Sequence, residues 1–182
     1  MSKVIKLING IGVLNPDIAI VGEAPGAEEE TQGKPFVGRS GRLIDRIMEK
    51  VGLDRSNCYI TNVVKFRPKR NKTPTDKEIL EWQEYLATEL TYVSPKLIIT
   101  LGVVPFKAVN GYFPSLHKNE FKITENHGQI LESSIARNKT IAPYYFSYLP
   151  TFHPAYCLRN PKVTQKLEDD FKKAVEHVRR KR

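Results

Sequence analysis

The 182-residue chain carries 29 Lys and Arg against 20 Asp and Glu, a formal net charge of +9, and is 40% hydrophobic with 11 Gly and 12 Pro. These values suit one globular domain over residues 1–182 and exclude a disordered or fibrous chain; two cysteines exclude a disulfide framework or a four-thiolate metal site. No apolar run approaches the roughly 20 residues of a membrane helix, and "MSKVIKLING" lacks the features of a signal peptide, so an intracellular protein with no membrane contact is expected. The basic balance points to a polyanionic partner, nucleic acid before an anionic membrane surface.

In chain order, "DIAIVG" (17–22) has the length and β-branched content of a buried strand. A glycine-rich loop, "GEAPGAEEETQGKPFVGRSG" (22–41), follows it. "SGRLIDRIMEKVG" then reads as a helix with apolar residues at 43, 44, 47, 48 and 51 and Gly52 at its end. "CYITNVV" (58–64) is a second strand, running into "KFRPKRNKTP". "TDKEILEWQEYLATELTYV" opens on a capping box, Thr75 with Glu78, and carries an apolar stripe at Ile79, Trp82, Leu86 and Leu90. "KLIITLG" (96–102) is a third strand. The less regular stretch 111–144 accommodates a hairpin in "FKITENHGQILES", and "YFSYLP" (145–150) is a fourth strand. After "TFHPAYCLRNP" a basic helix runs from about residue 161. Alternation of strands and helices implies a mostly parallel sheet covered on both faces. In such sheets the loops leaving the carboxyl ends of the strands converge on the ligand. Here those loops hold Glu23, Asn62, Asn71 and His153.

Common chemistries are excluded by spacing. "GAEEETQGKP" echoes a phosphate loop, but Pro35 stands where Ser or Thr would take magnesium, and three Glu would repel phosphate. No G-x-G-x-x-G follows the first strand. His117, His127, His153 and His177 are scattered without metal-ligand spacing, and G-x-S-x-G is absent. Glu28 and Glu30 read as a solvated acidic turn.

Four segments in order, "GEAPGAEEETQGKPFVGRSGRLID", "TNVVKFRP" with "RNKTP", "SPKLIITLG" and "FHPAYCLRNP", resemble the family 4 uracil-DNA glycosylases over roughly residues 17 to 165. The resemblance implies a three-layer α/β/α sandwich around a four-stranded central sheet. It also implies that uracil is flipped out of DNA and its N-glycosidic bond hydrolysed, leaving an abasic site. Glu23 belongs to the G-E-x-P-G element, with Gly22, Ala24 and Gly26 forming the pocket front. Phe36 would stack on the base, Glu29 would crowd out a thymine methyl at the C5 edge, and Asn62 would bond the uracil edge. Asn71 would hold the attacking water, with Glu23 second in that role, and His153 would face O2. Arg39, Ser40, Lys65, Arg67, Leu158 and Arg159 would meet the DNA, the Cys157–Arg159 segment pushing into the duplex or binding a flanking phosphate.

Family 4 members hold a [4Fe–4S] cluster on four cysteines. Here Phe66 stands at the third position, Trp82 by register at the fourth, and the N-terminal segment has no cysteine. A member with no cofactor and no metal is therefore expected, the two aromatics filling the cluster's volume. The expected partner is uracil-containing DNA, single- or double-stranded, met by a monomer, with a replication or repair protein as a further partner. The alternative is a weak or inactive glycosylase-fold DNA-binding module, such as a polymerase accessory protein of viral origin.

Overall fold

The computed structural model describes residues 5–110, 122–135 and 144–181. Among these a six-stranded sheet has the order β1-β3-β2-β4-β6-β5. Its members are β1 Ile11–Gly12, β2 Ile18–Gly22, β3 Tyr59–Asn62, β4 Leu97–Leu101, β5 Leu131–Ile135 and β6 Tyr144–Thr151. The four strands read from sequence are the inner, parallel ones. The expected four-stranded sheet is corrected to six, because β1 and β5 add antiparallel edges. Neither edge is prominent in the sequence: β1 is two residues long, and "LESSI" lacks a strong apolar alternation.

Every residue of β2 and β4 is buried. Alternate side chains feed two cores, as a sheet covered on both faces requires. Ile18, Ile20, Leu97 and Ile99 pack with α2 (Arg39–Lys50), α6 (Pro154–Arg159) and α7 (Thr164–Arg180). Ala19, Val21 and Ile98 pack with α3 (Asp76–Val93) and α4 (Val103–Asn110). The expected caps are present. Gly52 takes φ +67° after α2, and Thr75 and Glu78 bond reciprocally at the start of α3. Two local readings are corrected. "FKITENHGQILES" does not form a hairpin within itself, because Ile123–Asn126 is a single helical turn, α5, and only "LESSI" pairs, with β6. Residues 111–121 and 136–143 of the irregular stretch lie outside the described residues. The loop after β2 contains a helix, α1 (Ala27–Gln32), too short for periodicity to reveal.

The chain runs from β2 outward to β3, then back across to β4 on the other side of β2. That reversal makes a crevice above the carboxyl ends of the strands, the position where open α/β sheets take their ligands.

Candidate active site

Loops leaving β2, β3 and β6 wall a cleft of about 460 Å³ in that crevice. The first wall depends on one carboxylate. Glu29 Oε2 accepts from Gly26 N at 3.0 Å, and its Oε1 accepts from Val37 N at 3.0 Å and Gly38 N at 2.8 Å. Three amides of a glycine-rich turn are thus gathered onto one buried anion, which is a strong arrangement for an otherwise floppy segment. It holds Phe36 in the left-handed region at φ +54°, uncommon for an aromatic residue. Gly41 permits the fold-back, since a Cβ there would lie 2.0 Å from the Phe36 carbonyl oxygen.

The floor comes from β2 and β3. Asn62 ends β3 and is buried, and among the described residues its Oδ1 has no hydrogen-bond partner. A Cβ on Gly22 would lie 2.3 Å from the Phe36 ring and 2.5 Å from Asn62 Oδ1. Gly22 therefore does not line the cleft, but its missing side chain lets the ring and the amide sit side by side. Ala24 and Gly26 line the opening beside Glu23. Burial raises the pKa of Glu23, against a hydrogen bond with Thr73.

Asn71 reaches the cleft from a turn in which it and Arg70 both have positive φ. Its Oδ1 accepts from Arg67 Nε at 2.7 Å, while Arg67 Nη1 donates to Glu30 Oε2 at 3.0 Å. Arg67 thereby ties the second loop to the first. The amide NH2 is then the end of Asn71 left for the cleft. Glu28 pairs with Arg42, so the outer two acids of the trio are ion-paired surface groups and the middle one is internal.

His153 caps α6, and its Nδ1 accepts from Ala155 N at 3.1 Å. A backbone N–H can only donate, so Nδ1 carries the lone pair and Nε2 the proton. Burial, with Arg159 nearby, lowers its pKa to about 4. At neutral pH the ring is uncharged and offers one N–H donor.

Arg39, Ser40 and Arg159 stand at the cleft, as expected from the sequence. Two expectations are corrected, those for Lys65 and for the Cys157–Leu158 segment. Lys65 cannot meet DNA, because its side chain is fully buried and bonded internally. Arg67 uses two of its five N–H groups on Asn71 and Glu30 and keeps 28% side-chain exposure. Leu158 is partly buried against the α2–α7 core, and Cys157 lies inside that core, so this segment does not project as a wedge. Both oxygens of Glu29 accept from loop amides, so it organises the loop while also lining the cleft. Sequence reasoning missed Lys72 and Gly38 at the cleft; the run "KRNK" and the glycine before α2 were the available signals.

Phe66 and Trp82, which the resemblance expects at cluster-cysteine positions, have ring centroids 6.2 Å apart, and Trp82 continues onto Tyr85 at 5.5 Å. Among the described residues no group of three His, Cys, Asp or Glu side chains is arranged for a metal. Cys58 and Cys157 are buried far apart in sequence, their thiols pushed up to about 12 and about 11 by desolvation. These residues do not fit a [4Fe–4S] cluster.

The crevice thus brings together a neutral donor, a buried amide and an aromatic wall, with cations at its border. The profile of the Uracil DNA glycosylase superfamily matches residues 10–179, and the chain belongs to that superfamily. Within it the chain is 36% identical to the Type-4 uracil-DNA glycosylase of Sulfurisphaera tokodaii over 93% of its length and 73% of the relative's. It is 33% identical to that of Thermotoga maritima over 96% and 84%. A DNA polymerase of Bacillus phage SP01 matches 94% of the chain at 27% identity, over 16% of the polymerase.

Proposed function

We propose that this chain is a monofunctional uracil-DNA glycosylase that extrudes uracil from DNA and hydrolyses its N-glycosidic bond. The observation that carries the reading is the buried Asn62 Oδ1, without a partner among the described residues, on a floor shared with Phe36 in a cleft also lined by a neutral His153. A base in the cleft supplies what is missing. Its N3–H donates to Asn62 Oδ1, its O4 accepts from the amide NH2, and its face lies on the Phe36 ring. Cytosine presents the opposite pattern and leaves those groups unsatisfied.

As the C1′–N1 bond breaks, its electron pair passes to the base and negative charge grows on O2. The His153 Nε2–H is a neutral donor aimed at that charge, so it stabilises the leaving base more than the bound one. Water adds to C1′ and gives up a proton. Glu23 suits that acceptance, being a carboxylate in the cleft with a raised pKa. Asn71 is the weaker candidate as acceptor, since its Oδ1 is held by Arg67; its NH2 can orient the water. Arg39, Ser40, Lys72 and Arg159 form the strand-holding rim. Action as an intracellular monomer is part of the same proposal.

The test is incubation with an oligonucleotide containing one uracil, followed by cleavage at abasic sites; no cleavage refutes the reading. A second reading, a DNA-binding module serving replication, draws on the likeness to part of a phage DNA polymerase. It predicts salt-dependent DNA binding without uracil release.

A further inference from the structure

The cation that the sequence assigns to DNA points elsewhere. The β1–β3 ladder covers only Tyr59 and Ile60. Beyond it, among the described residues, no strand on the β1 side supplies a donor to the Asn62 carbonyl, and a buried carbonyl needs one. Lys65 supplies it. Its Nζ donates to Asn62 O at 2.7 Å, to Thr61 Oγ1 at 2.6 Å and to Glu89 Oε2 at 2.5 Å, which uses all three ammonium protons. Glu89 also accepts from the Tyr59 hydroxyl at 3.0 Å and from Thr61. The Tyr85 ring lies 5.4 Å from Nζ. Gly10 closes over the group, where a Cβ would lie within 2.6 Å of both Tyr59 Oη and Glu89 Oε1.

We propose that Lys65, held by Glu89, is a positioning residue that fixes the Asn62 peptide and through it the base-reading amide. The proposal rests on the reading of the cleft as a uracil pocket. The peptide joining Asn62 to Val63 is gripped at both ends: Lys65 holds its carbonyl, and its N–H donates to Gly22 O at 2.9 Å. With that plane fixed, the Asn62 Cα–Cβ bond has one direction, and the amide is set beside Gly22 and Phe36. Among the described residues no hydrogen bond holds Asn62 Oδ1, so its aim comes from the backbone. Charge is required, because a neutral amine has two protons for three acceptors.

The test compares wild type, Glu89→Gln and the double variant Lys65→Met/Glu89→Gln. The double variant leaves no buried charge at this point, and the amide oxygen introduced by Glu89→Gln still accepts from Tyr59 and Thr61. We expect the Val63 amide in the double variant to exchange with solvent about tenfold or more faster, the equivalent of one hydrogen bond to a charged group, while Ile20 and Ile60 amides keep their protection. Single-turnover uracil excision falls about 100-fold, the scale of a 1 Å misplacement, with DNA affinity changed less than about twofold. The preference for uracil over cytosine narrows, an effect that loss of stability alone does not produce. Glu89→Gln alone leaves the Lys65 ammonium buried without its counter-ion and melts below wild type, but it retains the Lys65–Asn62 bond and so keeps the preference for uracil over cytosine, which separates lost stability from lost positioning. Wild-type protein gives a further measurement that needs no variant: the Lys65 ammonium protons exchange slowly and couple across the hydrogen bond to the Asn62 carbonyl carbon. Fast-exchanging ammonium protons, or a double variant with unchanged Val63 protection and unchanged rate, overturns the proposal. If wild type releases no uracil, the cleft reading fails, and the exchange measurements still judge the positioning.

Discussion

Replacing Glu29 with Gln tests the loop architecture with one atom. The Glu29 carboxylate accepts three backbone N–H groups, two on Oε1 and one on Oε2. Gln can keep its oxygen for Val37 and Gly38, but its NH2 then faces the Gly26 N–H, donor against donor. Loss of one hydrogen bond to a charged acceptor costs about 1.5–3 kcal/mol. For a chain of this length each kcal/mol shifts the melting temperature by roughly 2–4 °C, so Glu29→Gln should melt about 3–12 °C lower. Val37 and Gly38 follow Phe36 directly, so the ring loses its anchor and excision falls by about 10- to 100-fold. Thermal melts and single-turnover excision on uracil and thymine oligonucleotides read both effects. Retention of wild-type melting and rate, or a gain of thymine excision at unchanged stability, would refute the reasoning and restore Glu29 as a gate at the base edge.

Gly22→Ala places a methyl against both Phe36 and Asn62; over-packing of about 1–3 kcal/mol and loss of most excision are expected, read by melting and rate together. The pH profile should fall on its acid side through the Glu23 pKa, above the ordinary 4.5. Glu23→Gln should remove that limb. The sign reverses for stability: a raised folded pKa gives stabilisation present below 4.5 and lost as pH rises through the folded value, so Glu23→Gln should be the more stable protein above that range. His153→Ala should lower excision about 100- to 1000-fold with DNA affinity nearly unchanged. Wild type should show no inflection near 6.5, because the ring is already neutral down to about pH 4.

Much of this was legible in the chain. The β-branched runs placed the four inner strands, and the polar residues after them placed the cleft. Trp82 read correctly as part of a helical stripe because Ile79, Leu86 and Leu90 share its face. The errors share a physical origin. A lysine in a basic segment after a strand reads as a surface cation, and only the approach of Glu89, 24 residues on, makes Lys65 internal. Glu29 stands out in the loop, but its amide bonds depend on Val37 and Gly38 folding back over α1. Arg67 reads like its neighbours Lys69 and Arg70, and only the folded loops bring Asn71 and Glu30 to two of its N–H groups. In each case the decisive contact depends on how loops fold onto one another, and periodicity carries no information about that.

The two walls of the cleft also differ in when they can exist. Glu23, Phe36, Asn62 and Asn71 all lie before β4, whereas His153 follows β6, whose five-residue pairing with β4 is what carries it into place. β4 itself turns away at Gly102, at φ +97°, with His153 seated against that glycine. A chain emerging from synthesis therefore presents Glu23, Phe36, Asn62 and Asn71 well before His153, the group proposed to stabilise the departing base. Until β6 docks, there is an incomplete surface and no pocket. A protein truncated before residue 144 lacks β6, α6, α7 and their connections, which supply Leu149, Phe152, Leu167 and Phe171 to one of the two cores, so it should lose the fold together with the site.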